Sequence, residues 1–85
     1  MKMSLEAPTP IWSEILGKNV KRARMGMKLT QQLLSERSDV DLSYLGKLER
    51  GLCNPTLSVI VRIAHALTLS PAALLEVSET DTIAR

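Results

Sequence analysis

The chain has 85 residues, of which 45% are hydrophobic and 24% are charged, and its formal net charge is +2. This length suits one domain with a modest core, not two. One cysteine, Cys53, excludes an internal disulfide, and no apolar run approaches the roughly 20 residues that span a bilayer. The N-terminus also lacks the apolar core of a signal peptide, so we expect a cytoplasmic protein without membrane association.

The charges are distributed unevenly along the chain. The segment from Lys18 to Arg50 contains eight basic and four acidic residues, a local net charge of +4. The remainder contains three basic and five acidic residues, a net charge of −2. A local basic surface is what a polyanionic partner requires, although charge alone fits a solvated face of mixed charge equally well.

The first predicted helix follows an irregular arm. Pro8 and Pro10 disfavour helix in the residues that precede them. Ser13 is the predicted N-cap of this helix, and Gly26 is expected near its end. The boundaries predicted for the chain are an arm at 1–12, a domain at 13–76 and a polar tail at 77–85. The apolar positions with helical spacing in the first helix are Leu16, Val20, Ala23 and Met27.

Two short helices separated by a three-residue turn are predicted in the middle of the chain. Thr30 is the expected N-cap of the second helix, which runs to about Arg37. Asp41 caps the third helix, where its carboxylate also suits the positive helix start, and Gly51 ends it in a left-handed conformation. The apolar residues expected to fix the angle between these two helices are Leu34, Val40, Leu45 and Leu48.

Two further helices complete an all-α fold of five short helices around one core. Thr56 is the predicted N-cap of a fourth helix that ends near Leu67, and Ser70-Pro71 opens a short fifth helix. No strand alternation or internal repeat is found. The expected apolar faces consist of Leu57, Ile60, Val61, Ile63, Ala64 and Leu67 in the fourth helix and Ala72, Leu74 and Leu75 in the fifth.

The central pair of helices has a geometry that lets its second helix enter the major groove of DNA. Its predicted outer face, away from the buried leucines, consists of Leu42, Ser43, Gly46, Lys47 and Arg50. Lysine can donate to guanine O6 or N7, a serine hydroxyl can contact several bases, and leucine can pack against a thymine methyl group.

The segments Thr30–Leu34 and Tyr44–Gly51 resemble the helix-turn-helix domain of phage repressors and Cro proteins, also called the xenobiotic-response-element type. The resemblance covers about Leu16 to Leu75 without gaps, and its most specific part is the spacing from Glu49-Arg50-Gly51 to Asn54-Pro55. It implies a lambda-repressor-like domain that binds double-stranded DNA.

The resemblance also implies roles for individual side chains. The residues expected to read bases are Leu42, Ser43, Gly46 and Lys47. The residues expected to contact phosphates are Gln31, Tyr44, Arg50 and Asn54. Arg24 and Glu49 match a pair that ties the first helix to the third, which we interpret as a structural ion pair.

Four positions depart from the family pattern. Leu33 replaces a polar, often acidic, residue, so the capping box that Thr30 would otherwise form is missing. Ser35 replaces a small apolar residue, normally alanine, and is small enough for close packing to survive. Asp39 replaces the turn glycine and tolerates the left-handed conformation better than most residues. Gly46 replaces a common serine, which weakens the third helix.

No catalytic or metal-binding set is expected. His65 is interpreted as a surface histidine and Cys53 as a loop residue, because neither has a second ligand at a suitable spacing. No phosphate-cradling glycine loop is present. We therefore expect neither an enzyme nor a cofactor.

The principal hypothesis is a nucleoid-associated transcriptional repressor that binds a palindromic operator as a homodimer. Its dimer surface is expected C-terminal to the motif, in the fifth helix and at Val77 or Ile83. The alternative is an antitoxin-type interaction protein with a small protein partner, for which DNA binding is secondary.

Overall fold

The computed structural model describes residues 11–78, which form four α-helices, one 3₁₀ helix and no strand. The helices are α1 (Trp12–Gly26), α2 (Gln31–Ser38), α3 (Leu42–Glu49), α4 (Leu57–Ala66) and the 3₁₀ helix (Pro71–Leu75). The all-α prediction is confirmed, but the fifth helix is of the tighter 3₁₀ type, which suits a five-residue segment that begins with proline. Of the arm predicted at 1–12 and the tail predicted at 77–85, residues 1–10 and 79–85, including Ile83, lie outside the described residues.

Three predicted helix caps are confirmed. The side chains of Thr30, Asp41 and Thr56 each accept a hydrogen bond from the backbone N–H three residues later, at 3.0, 3.1 and 3.2 Å respectively. Each bond satisfies an N–H group that has no partner within its helix. These caps explain why α2, α3 and α4 begin where they do.

The cap predicted at Ser13 is wrong. The N-cap of α1 is Ile11, in extended conformation, and its carbonyl oxygen accepts the N–H groups of Glu14 and Ile15, both at 3.1 Å. Ser13 therefore lies inside the first turn, and Trp12 is the first helical residue. Ser70 does occupy the N-cap position of the 3₁₀ helix and is followed by Pro71, as predicted, but its side chain makes no cap hydrogen bond.

The core is aliphatic and lies where the helices meet. In the described residues, α1 packs on α3 and the 3₁₀ helix, α2 packs on α3 and α4, and α4 also packs on the 3₁₀ helix. Burying a leucine or isoleucine side chain contributes about 1.5–3 kcal/mol. The buried core residues are Leu16, Val20, Leu29, Leu34, Val40, Leu45, Leu48, Ile63, Ala64, Leu67 and Leu74.

Several positions assigned to the apolar faces are exposed instead. Leu57 at the start of α4 keeps 70% of its surface accessible. Leu33, which together with Leu34 was expected to begin the apolar face of α2, is also exposed. The apolar face of a helix is wider here than the part that neighbouring helices cover, so the residues at the edge of that face remain in contact with solvent. The other exposed positions are Met27, Val61, Ala72 and Leu75.

Two glycines allow α1 to lie directly against α3 and its end. A Cβ atom on Gly17 would lie 2.5 Å from the Leu48 carbonyl oxygen, so any larger residue would push the two helices apart. Gly51 has a φ of +76°, as predicted for the end of α3, and a Cβ atom there would lie 3.0 Å from Cγ of Glu14.

The buried amide of Asn19 fixes the C-terminal end of the fold. Its Nδ2 donates to the carbonyl oxygens of Leu74 at 2.9 Å and Glu76 at 3.0 Å. Its Oδ1 accepts from Arg22 Nη1 at 3.3 Å. The 3₁₀ helix is thereby tied to α1 by polar contacts in addition to the burial of Leu74.

Candidate nucleic-acid interface

A tight turn separates α2 from α3. Asp39 has the left-handed conformation predicted for it, with φ 57° and ψ 40°. The backbone N–H groups of Asp39 and Val40 both point to the carbonyl oxygen of Ser35, and the Val40 bond measures 3.2 Å. The chain thus reverses within three residues, and Asp41 then caps α3.

Apolar packing holds α3 against α2 and α1. The four residues predicted to set the helix angle are all buried, which confirms that part of the prediction. They are Leu34 in α2, Val40 in the turn, and Leu45 and Leu48 on the inner face of α3. The opposite face of α3 is consequently turned outward.

An ion pair joins α1 to the last residue of α3. Arg24 Nε lies 2.7 Å from Glu49 Oε2, and Arg24 Nη2 donates to Glu49 Oε1 at 3.1 Å. The exposed fractions of the two side chains are 12% and 2%. Arg24 Nη1 also donates to the Leu29 carbonyl oxygen at 2.8 Å, so the guanidinium is held on both sides. This bidentate geometry is the strong form of an arginine–carboxylate contact.

The same carboxylate positions Gln31 at the start of α2. Gln31 Nε2 donates to Glu49 Oε1 at 3.0 Å, and the glutamine is half-buried. An amide nitrogen carries two hydrogens, so the second remains for a phosphate oxygen. This contact was not anticipated from the sequence, because Gln31 and Glu49 are 18 positions apart and no local pattern links them.

Three of the four predicted base-reading residues lie on an open face. Leu42, Ser43 and Lys47 are exposed along α3, and the exposed Arg50 follows at its C-cap. Gly46, the fourth predicted base-reading residue, is buried between side chains. A Cβ atom on Gly46 would lie 3.5 Å from Arg50 Nη1 and 3.9 Å from Gln31 Oε1.

Tyr44 and Asn54, both predicted to contact phosphates, have different surroundings. Tyr44 is half-buried against the core, beside Cys53. A hydrogen bond with the Cys53 side chain, and to a smaller extent burial, raises the pKa of the Tyr44 phenol above its ordinary value. Asn54 is exposed in the loop after α3, at the edge of an apolar cleft lined by Trp12 and Ile60.

Within residues 11–78 no group of three or more His, Cys, Asp or Glu side chains is placed to hold a metal ion. No helix in that range is long and apolar enough to cross a membrane. Every buried side-chain nitrogen or oxygen in the described part of the chain has a hydrogen-bond partner. The polar groups that remain available therefore lie on the surface, including the outer face of α3.

Comparison with known proteins agrees with this geometry. Residues 20–74 match the family model described as helix-turn-helix. The immunity repressor protein of Bacillus phage phi105 is 37% identical over 59 residues, which span 69% of this chain and 41% of the repressor. Control protein C.SmaI of Serratia marcescens is 40% identical over 62 residues, which span 73% of this chain and 74% of that protein.

A solved structure of SinR, a Bacillus subtilis protein, in complex with DNA superposes with a TM-score of 0.69 at 29% identity. The match covers 72% of this chain and 98% of the SinR chain. SinR has also been solved in complex with SinI. The chain described here belongs to the helix-turn-helix family and is a DNA-binding transcriptional regulator of the phage-repressor and Cro type.

Proposed function

We propose that the chain represses transcription by occupying a palindromic operator as a homodimer, with α3 in the major groove. The observation that carries this proposal is the outer face of α3. There, Leu42, Ser43 and Lys47 are exposed on a helix whose opposite face is fully buried. The arrangement presents a cation, a hydroxyl and an apolar side chain to base edges, which is the chemistry of direct readout.

Gln31 and Arg50 flank the reading face as candidate phosphate ligands. Gln31 is oriented by Glu49, and the exposed guanidinium of Arg50 lies at the C-terminal end of α3. Asn54, exposed in the loop after α3, and the half-buried Tyr44, beside Cys53, complete the set of candidate phosphate ligands. Phosphate contacts fix the register of a domain on the duplex, whereas base contacts specify sequence.

A second copy of the chain would use exposed apolar side chains that follow the helix-turn-helix motif, which we call the apolar surface. They are Leu75, the last residue of the 3₁₀ helix, Val77 just after it, and Leu57 and Val61 of α4. A two-fold dimer places two recognition helices about 34 Å apart, which is one turn of duplex and gives the operator its palindromic symmetry.

We further propose that the protein acts at the nucleoid through DNA occupancy and not as an enzyme. A small protein partner is the alternative occupant of the apolar surface. The complex of the related SinR with SinI supports this alternative. Co-purification with a neighbouring small protein, together with weak DNA binding by the chain alone, would favour this alternative.

Selection of bound sites from a random duplex pool tests the proposal. We expect a single enriched sequence with two inverted half-sites, whose centres are separated by about 10 base pairs. Size-exclusion chromatography with light scattering should give twice the monomer mass for the protein on this duplex. Recovery of unrelated sequences, with equal affinity for all duplexes at physiological salt, would contradict sequence-specific repression.

A further inference from the structure

Ser35 makes a contact that its size alone does not explain. Its hydroxyl donates to the carbonyl oxygen of Val40, and its own carbonyl oxygen accepts the Val40 N–H at 3.2 Å. The backbone N–H and C=O groups of Val40 in the turn are therefore both hydrogen-bonded to Ser35 of α2. Alanine, the residue common at this position in the family that the chain resembles, could supply only the backbone half of this arrangement.

The hydroxyl bond satisfies a carbonyl group that has no other partner within residues 11–78. Val40 is itself buried, so this oxygen has little access to water. An unsatisfied buried carbonyl is costly, and the turn would shift to expose it if the hydroxyl were absent. Val40 is followed directly by Asp41, the N-cap of α3, so such a shift would pass into the first turn of that helix.

We propose that Ser35 is a positioning residue for sequence readout. Its two hydrogen bonds to Val40, which we call the clamp, set the orientation of the first turn of α3. This inference rests on the proposed function, since it concerns how the Leu42 and Ser43 side chains are oriented towards base edges.

Three of the four candidate phosphate ligands lie outside the first turn of α3: Gln31 at the start of α2, Arg50 at the C-cap of α3 and Asn54 in the loop after it, whereas Tyr44 lies in that turn. Loss of the clamp therefore weakens discrimination between sequences while leaving most of the non-specific binding intact.

Ser38 provides a matched control in the same helix. Its hydroxyl donates to the Leu34 carbonyl oxygen at 2.6 Å, and the residue is more deeply buried than Ser35. This bond closes within α2 and does not reach the turn or α3. Ser38→Ala thus removes a buried hydroxyl bond of similar type without releasing Val40, and both alanine variants introduce a smaller side chain that creates no clash.

The experiment measures the dissociation constants of the wild type, Ser35→Ala and Ser38→Ala for two labelled duplexes of equal length. One duplex carries the sequence that the wild type enriches from a random pool, and the other has a scrambled sequence. We expect the ratio of the two affinities to fall about tenfold in Ser35→Ala, the scale of one base contact. In Ser38→Ala the ratio should stay within twofold of the wild type, and the affinity for the scrambled duplex should change by less than twofold in both variants.

Two results would contradict the proposed role of the clamp. In one, Ser35→Ala keeps the wild-type ratio; in the other, both variants lose discrimination equally, which would assign the loss to general destabilisation. Thermal unfolding of the two variants identifies the latter case. A wild-type chain that binds both duplexes equally would contradict the proposed function itself, and with it this inference, so the two failures are distinguishable.

Discussion

Removing the cation from the buried ion pair should destabilise the fold severely. In Arg24→Met the Glu49 carboxylate, 2% exposed, would lose two of the three hydrogen bonds and the one charged partner that it has within residues 11–78. Breaking a buried ion pair by deleting one member costs about 3–5 kcal/mol. The Leu29 carbonyl oxygen would also lose its donor, which adds roughly 1 kcal/mol.

Urea and thermal unfolding of Arg24→Met, followed by circular dichroism, measure this cost. For a domain of this size 1 kcal/mol corresponds to about 4–8 °C, so the melting temperature should fall by at least about 12 °C. The control is the double variant Arg24→Met with Glu49→Gln, which removes the unpaired charge and keeps an acceptor for Gln31. It should recover most of the loss. A cost below about 1 kcal/mol in the single variant, or a double variant no more stable than the single one, would refute the structural role of the pair.

Four further substitutions test base readout, phosphate contact and the packing of the fold separately. Lys47→Ala should change preference at one base position of the selected site, and a repeated pool selection with the variant would show it. Arg50→Ala should weaken binding to all duplexes and lower the slope of log K against log salt by about 0.9, as measured by fluorescence anisotropy. Gly51→Ala should cost about 1–2 kcal/mol of unfolding free energy, because alanine is strained at a φ of +76°. Gly17→Ala should cost about 3 kcal/mol because its methyl group meets a backbone carbonyl at 2.5 Å.

Local chemistry made much of the fold predictable. Thr30, Asp41 and Thr56 cap helices as expected, because each side-chain oxygen lies within reach of an N–H group three residues later. Asp39 and Gly51 adopt the left-handed conformation that their residue types suggested. These features depend on residues close in the chain, so sequence spacing carries the necessary information.

Features that depend on tertiary contact were predicted less well. Ser13 is a good N-cap residue, yet α1 begins before it, since the carbonyl oxygen of Ile11 already accepts two helical N–H groups. The apolar pattern of α4 could not show that Leu57 and Val61 lie beyond the face covered by its neighbours. Apolar spacing identifies a helix but does not say how much of its surface another element covers.

In the candidate site, too, features set by local sequence were predicted and features set by tertiary contact were not. The order of residues along α3 predicted which side chains face outward, apart from Gly46, because helical geometry alone separates them from Leu45 and Leu48. The polar support behind the site was not predictable in the same way. The bond from Gln31 to Glu49 links two helices, and the clamp by the Ser35 hydroxyl exists only because the turn brings Val40 back over α2.

Nuclear magnetic resonance of the ¹⁵N-labelled chain, titrated with the duplex selected from the random pool, shows residue by residue where DNA binds. We expect the largest amide shift changes at Leu42, Ser43 and Lys47, with smaller changes at the start of α2. The exposed basic residues Lys21 and Arg22 on α1 should change little. Changes concentrated on α1, with the amides of α3 unaffected, would contradict the claim that the outer face of α3 holds DNA.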